Sequence, residues 1–162
     1  MKIRRVIGAG AVALAMTTTA LVVTPQAASA ATGGCNGASC NGLDPSGRCD
    51  GDAITVASKA VTDGQLDLRY SPSCVANWGR YTPYTRDASF FAAQGKGIYA
   101  RVTAWNPGGP SYGTAYHAPG VYGSSWSQMV DGRWTACTGV EVVITGSNGD
   151  YDSQGWSWGP CY

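Results

Sequence analysis

Histidine is almost missing from this chain: His117 stands alone among 162 residues. A catalytic triad needs a base held against a nucleophile and oriented by a third group. His117 lies in Tyr116-His117-Ala118-Pro119, and no nucleophile-elbow pattern surrounds Ser111, Ser124 or Ser125. It therefore reads as a surface-loop residue. Glutamate is equally scarce. Glu141 sits between valines and is expected to face solvent, so glycosidic chemistry, which needs two facing acids, would fall to aspartates. Beyond residue 30 basic clusters are absent too, which removes the electrostatic footprint of a nucleic-acid binder. Leucine is sparse and phenylalanine occurs twice, so a core must be built from other side chains. No window carries a sustained helical period, and Asp87 to Gln94 offers one or two turns.

What is present begins with a leader. Lys2, Arg4 and Arg5 form a basic head, Val6 to Val23 an apolar stretch, and Ala28-Ser29-Ala30 a peptidase site. Residues 1–30 are expected to be removed on export, leaving no membrane segment and a secreted, extracellular chain. Three of 11 basic residues leave with the leader, so 8 − 10 gives a mature charge of −2. Six cysteines follow: Cys35, Cys40, Cys49, Cys74, Cys137 and Cys161. In a short exported chain this even count reads as a disulfide framework. Cys137 is expected to pair with Cys161 and the first four among themselves, the detailed connectivity staying open. Zinc is disfavoured because only Cys35 and Cys40 form a close pair and one histidine exists. No metal and no cofactor are expected.

Residues 31–51 form a cysteine-rich lead-in with turns at Asn36-Gly37, Asn41-Gly42 and Asp44-Pro45. Residues 52–162 then carry period-two runs, making a single unit with the lead-in. Ile54, Val56 and Ser58 alternate with Thr55 and Ala57; Leu66, Leu68 and Tyr70 alternate with Asp67 and Arg69. Cys74, Ala76 and Trp78 share one face, and Ile98, Ala100, Val102 and Ala104 line another strand. Trp105 to Gly123 reads as one long loop. Gln128 to Val130 is expected to join the last clear strand, Thr135 to Thr145, through the Asp131-Gly132 turn. The fold class is all-β: a small disulfide-stabilised antiparallel sandwich or barrel with a cysteine-rich N-terminal lead-in.

Residues 68–80, LRYSPSCVANWGR, concentrate the structural signals. Ser71-Pro72 breaks the backbone between two strands, and a cystine at Cys74 is placed to pack against Trp78. Arg69, beside Asp67, is expected to make a solvated cross-strand pair, and Arg80 to lie along the Trp78 ring. Three linked motifs, Cys35-Asn36-Gly37 with Cys40 and Asp44-Pro45, Cys49 with Asp52-Ala53, and Leu68-Arg69-Tyr70-Ser71-Pro72 with Cys74, Trp78 and Arg80, resemble the YjfA-type secreted family, common in actinobacteria. The resemblance implies an exported, disulfide-bonded β protein. It carries no established function and no catalytic residue.

Function is therefore expected to lie in binding rather than catalysis. Tyr99, Arg101 and Trp105 form, with Thr103, an amphipathic row, and Trp156 and Trp158 share a face if their segment is extended. Tyrosine and tryptophan combine ring stacking with hydrogen bonding, which suits a cell-wall carbohydrate or a protein partner. Tyr112, Tyr116 and Tyr122 add rings to the long loop. The alternatives are an adaptor subunit of an exported toxin-type assembly and a secreted hydrolase using His117 or an Asp pair. Asp44, Asp50 and Asp52, and the Asn148-Gly149-Asp150-Tyr151-Asp152 run, offer calcium-like oxygen ligands. Neither completes a calcium loop, and turn-forming Asx residues explain both.

Overall fold

The computed structural model describes residues 34–114, 123–146 and 150–162. The leader, His117, Tyr116, Tyr122 and Asn148-Gly149 lie outside them.

The chain is an antiparallel β sandwich. Strands β1 (Ile54–Val61), β2 (Gly64–Ser71) and β3 (Ala76–Pro83) form a meander, because Asp63 and the Pro72–Val75 turn reverse the chain between alternating runs. Helix α1 (Thr85–Ala93) crosses to the second sheet, where β4 (Gly97–Trp105) begins. β5 (Ser111–Gly113) folds back on β4, interrupting what reads in sequence as one long loop. β6 (Ser125–Trp126) and β7 (Val130–Asp131) return to the first sheet, both beside β3. β8 (Cys137–Thr145) and β9 (Tyr151–Cys161) complete the second, in the order β5-β4-β8-β9.

The Asp131-Gly132 turn does not make a hairpin with the last long run: β7 pairs with β3 in one sheet and β8 with β4 in the other. Nor is β8 the last strand. β9 runs for 11 residues but shows no alternation, because two bulges interrupt its register against β8. At one of them Gly155, with φ 78°, supplies the left-handed residue.

The inner faces meet as the periodicity requires. Leu66 and Tyr81 from one sheet pack against Ile98, Ala100, Val102, Val140, Val142 and Ile144 from the other, with Ala88 and Phe91 of α1 at the margin. Gly79 is needed for this closeness: a Cβ there would collide with Thr138 Oγ1 and lie 2.8 Å from Val102 Cγ1. Leu68, Ala104, Val130 and Ala136 form a second inner cluster. β1 departs from its pattern. A bulge between Thr55 and Ala57 shifts its register, leaving Ile54 53% exposed.

Outside the first sheet lies a third layer. Trp78 and Ala76 point away from the sandwich, and the lead-in folds over them. Cystines Cys35–Cys40 and Cys49–Cys74 pack with Trp78, Met129 and Leu43. Backbone bonds Gly37 N–H to Cys74 O (2.8 Å) and Met129 N–H to Leu43 O (2.9 Å) tie the layer down. The third cystine joins Cys137 to Cys161, so the pairing expected from the sequence holds throughout. The expected pack of a cystine on Trp78 is found as well. Its site is the outer face, where no second sheet exists.

Candidate functional site

On the outer face of the second sheet, the pairing of β4, β8 and β9 gathers aromatic and charged groups from distant parts of the chain. Antiparallel register sets Arg101 opposite Glu141, and Glu141 opposite Trp156; Thr103 faces Gly139, which faces Trp158. Gly139 makes room for a ring, since a Cβ there would stand 2.9 Å from Trp158 Cε3. Trp156 and Trp158 stack with centroids 5.5 Å apart and planes 12° from parallel. Trp105 meets Trp158 edge-on at 5.6 Å, the arrangement favoured by ring quadrupoles. The Arg101 guanidinium lies 4.9 Å from the Trp156 centroid, within cation–π range. It also pairs with Glu141 at 3.3 Å.

The rings and Arg101 wall a cleft of about 760 Å³, within the range of small-molecule sites. Arg101, Trp105, Trp156 and Trp158 line it with Ser111 and Thr114. The Thr114 hydroxyl is buried with no hydrogen-bond partner among the described residues. None of the described lining residues is a carboxylate, histidine or cysteine.

Four of the five ligand-binding residues expected from sequence thus come together. Tyr99 does not line the cleft; it shares the outward face of β4 but sits one pair beyond Arg101, opposite Val143. Ser111 and Thr114 were not legible, because the three-residue β5 leaves no periodic trace. Tyr112 is structural, packed against the Leu68 cluster and close to Gly42 of the lead-in. Glu141 is not solvent-facing as expected: its side chain is 14% exposed and accepts bonds from Arg101 and Ser153.

The charged residues of the opening motif find their partners across the strands. Arg69 donates to Thr55 Oγ1 and to Ala53 O, both at 2.6 Å. Asp67 is buried and paired with Arg80 at 2.7 Å, with further bonds from Ser58 and Gln65. Burial alone would push the Asp67 carboxyl up, but these bonds and the Arg80 charge outweigh it and hold it below the usual carboxylate range. Arg80 is thus held by a carboxylate, and it shares with Trp78 and Trp126 the wall of a smaller cleft of about 340 Å³.

The lead-in aspartates do not converge. Asp44 accepts from Ser46 N–H and Trp126 Nε1, Asp50 from Gly47 N–H, and Asp52 from Ser71 Oγ and Ser73 N–H. They close turns and anchor the lead-in, as Asx residues do. Cys35, Cys40, Cys49 and Cys74 form the one metal-capable group of three or more side chains among the described residues.

No curated protein and no solved structure matches this chain. Residues 38–133, more than half of its length, match the family described as a protein of unknown function, DUF2690. That span includes β1 to β7 and the β4 wall of the cleft, whereas Trp156 and Trp158 lie beyond it. The chain belongs to the DUF2690 family of proteins of unknown function.

Proposed function

We propose that this protein is a secreted, non-catalytic binding module of the YjfA type, whose β4–β8–β9 cleft holds a glycan chain of the cell envelope. The carrying observation is the aromatic row itself: three tryptophans and an arginine along one open cleft, with hydroxyls of Ser111 and Thr114 beside them. Sugar rings offer apolar C–H faces to indole and hydroxyls to polar edges, so this mixture matches their chemistry. Three cystines and no free cysteine among the described residues support an oxidising, extracellular location. No helix among the described residues is long and apolar enough to cross a membrane. Glu141, the strand neighbour of Trp156, is held by Arg101 and Ser153, which favours positioning over proton transfer.

Sedimentation with insoluble peptidoglycan and chitin tests this. The mature protein is expected to be retained on one of them. Trp156→Ala with Trp158→Ala should weaken retention at least 10-fold, about 1.4 kcal/mol, with an unchanged melt. Failure of the wild-type protein to bind either polymer would overturn the glycan reading.

A second reading has its own support. Trp134 and Tyr162 are 68% and 71% exposed and border a separate hollow beside Tyr70, a composition suited to a protein partner. A stoichiometric companion in the culture medium, lost on Trp134→Ala, would favour that reading and the adaptor role with it.

A further inference from the structure

Two cystines that close very different loops, 5 and 25 residues apart in sequence, lie side by side under the lead-in. The sulfurs of Cys35, Cys40, Cys49 and Cys74 are all within 4.8 Å of one another. Cys35 Sγ and Cys49 Sγ, from different cystines, are 3.8 Å apart. A tetrahedron of thiolates around zinc, with bonds of about 2.3 Å, has sulfur–sulfur edges of about 3.8 Å. The Cys35–Cys49 edge already has that length, and the two bonded pairs reach it by spreading when their S–S bonds open. All four residues are buried, and Trp78, Met129 and Leu43 pack around them.

Sequence spacing pointed away from metal because only Cys35 and Cys40 are close. The fold supplies the second pair. The lead-in turn delivers Cys49 and the Pro72–Val75 turn delivers Cys74. The bond from Gly37 N–H to Cys74 O holds the two cysteine-bearing segments together without using any sulfur. The rest of the lead-in depends in large part on its cystines, so the metal has to restore the hold they give up.

We propose that, once both cystines are reduced, Cys35, Cys40, Cys49 and Cys74 bind one zinc ion, or a divalent ion of similar thiol preference, as a buried tetrathiolate centre. The steps balance. Each S–S bond takes two electrons and two protons and yields two thiols, from a dithiol that is oxidised to a cyclic disulfide or from a phosphine and water that leave as phosphine oxide. The metal ion then displaces four protons to solvent as four sulfur–metal bonds form. The lead-in is in this way anchored by cystines in an oxidising medium and by metal in a reducing one. The guanidinium of Arg133 lies against Gly37, between Cys35 and Cys40 in the chain, and is paired with Asp131.

The full mature chain, reduced with a phosphine under anaerobic conditions, is titrated with Co²⁺ and then with Zn²⁺. One equivalent of cobalt is expected, with the intense visible bands of tetrahedral thiolate coordination, and zinc should displace it. The near-ultraviolet circular dichroism of the packed tryptophans should return on metal addition. Cys137→Ser with Cys161→Ser should leave the stoichiometry unchanged. Cys49→Ser should weaken binding by more than about 100-fold, since even outer partners of metal ligands are worth about 10–100-fold. Absence of a tetrahedral thiolate spectrum in the reduced wild type overturns the proposal. So does uptake that requires Cys137 and Cys161, or uptake without recovery of the dichroism, because each describes an unfolded chain scavenging metal.

Discussion

Asp67 shows how much one buried group organises. It stands on the outward side of β2, where alternation alone predicts a solvated charge, yet it is 2% exposed. Arg80, Ser58 and Gln65 all donate to it. Removing Arg80 leaves a covered carboxylate with weaker compensation. Arg80→Ala is expected to cost about 2 kcal/mol at pH 7, less than the 3–5 of a fully buried pair, because the arginine side chain is 36% exposed. The sign with pH follows from linkage. The folded-state carboxyl of Asp67 is depressed, so its contribution is present above the ordinary carboxylate range and lost as pH falls through the folded value. Asp52 and Asp131 are depressed as well, by bonds from Ser71 and Ser73 that outweigh burial in the first case, and by Arg133 in the second. Asp63 is raised by burial and by the Asp87 charge, and opposes them in acid. Urea unfolding at neutral pH and below pH about 3 should therefore show the Arg80→Ala deficit shrinking in acid. A deficit of equal size at both would contradict the pairing. Gly79→Ala is a separate steric case: the Cβ has no space beside Val102 and Thr138, and a loss of about 1–3 kcal/mol is expected from denaturant melts.

Among the elements, β9 supplies two of the cleft tryptophans from the edge of its sheet. Its side chains are largely exposed, and it borders only β8 within its sheet. Its position depends on the ladder, on Lys59 Nζ donating to Trp158 O at 2.8 Å, and on the Cys137–Cys161 cystine. That cystine closes a loop of 24 residues, for which chain entropy gives about 3 kcal/mol. Cys137→Ser with Cys161→Ser is expected to lower stability by about 2–4 kcal/mol. Amide exchange should quicken in β9 before β4, while glycan retention falls because two of its tryptophans lose their place. Equal protection of β9 in both proteins would show that the cystine is dispensable to the cleft.

At the scale of the molecule, three layers are held by two kinds of force. The two sheets bury a conventional apolar interior of valine, isoleucine, leucine and alanine. The lead-in buries little beyond cysteines, Leu43 and Pro45, so its attachment is covalent in large part. Reduction without metal should therefore release the lead-in first and expose Trp78, seen as a fluorescence change. The sandwich should then melt at lower temperature, since each native cystine in a small secreted domain is worth about 2–5 kcal/mol. Coincident melts with and without reductant would contradict a covalent role for the third layer.

Period-two alternation was enough to place β2, β3, β4 and β8, because a strand buried on one face must repeat every second residue. Even cysteine count and turn chemistry were enough for an all-β, cystine-held chain, and the row Arg101 to Trp105 was visible as an outward face. Register was beyond local reading. Two bulges erased the pattern of β9, a three-residue strand hid Ser111, and Asp67 found Arg80 on the neighbouring strand. The convergence of four sulfurs and of three tryptophans joins residues tens of positions apart. Such meetings are set by how two sheets and a lead-in pack, and spacing along a chain does not carry that information.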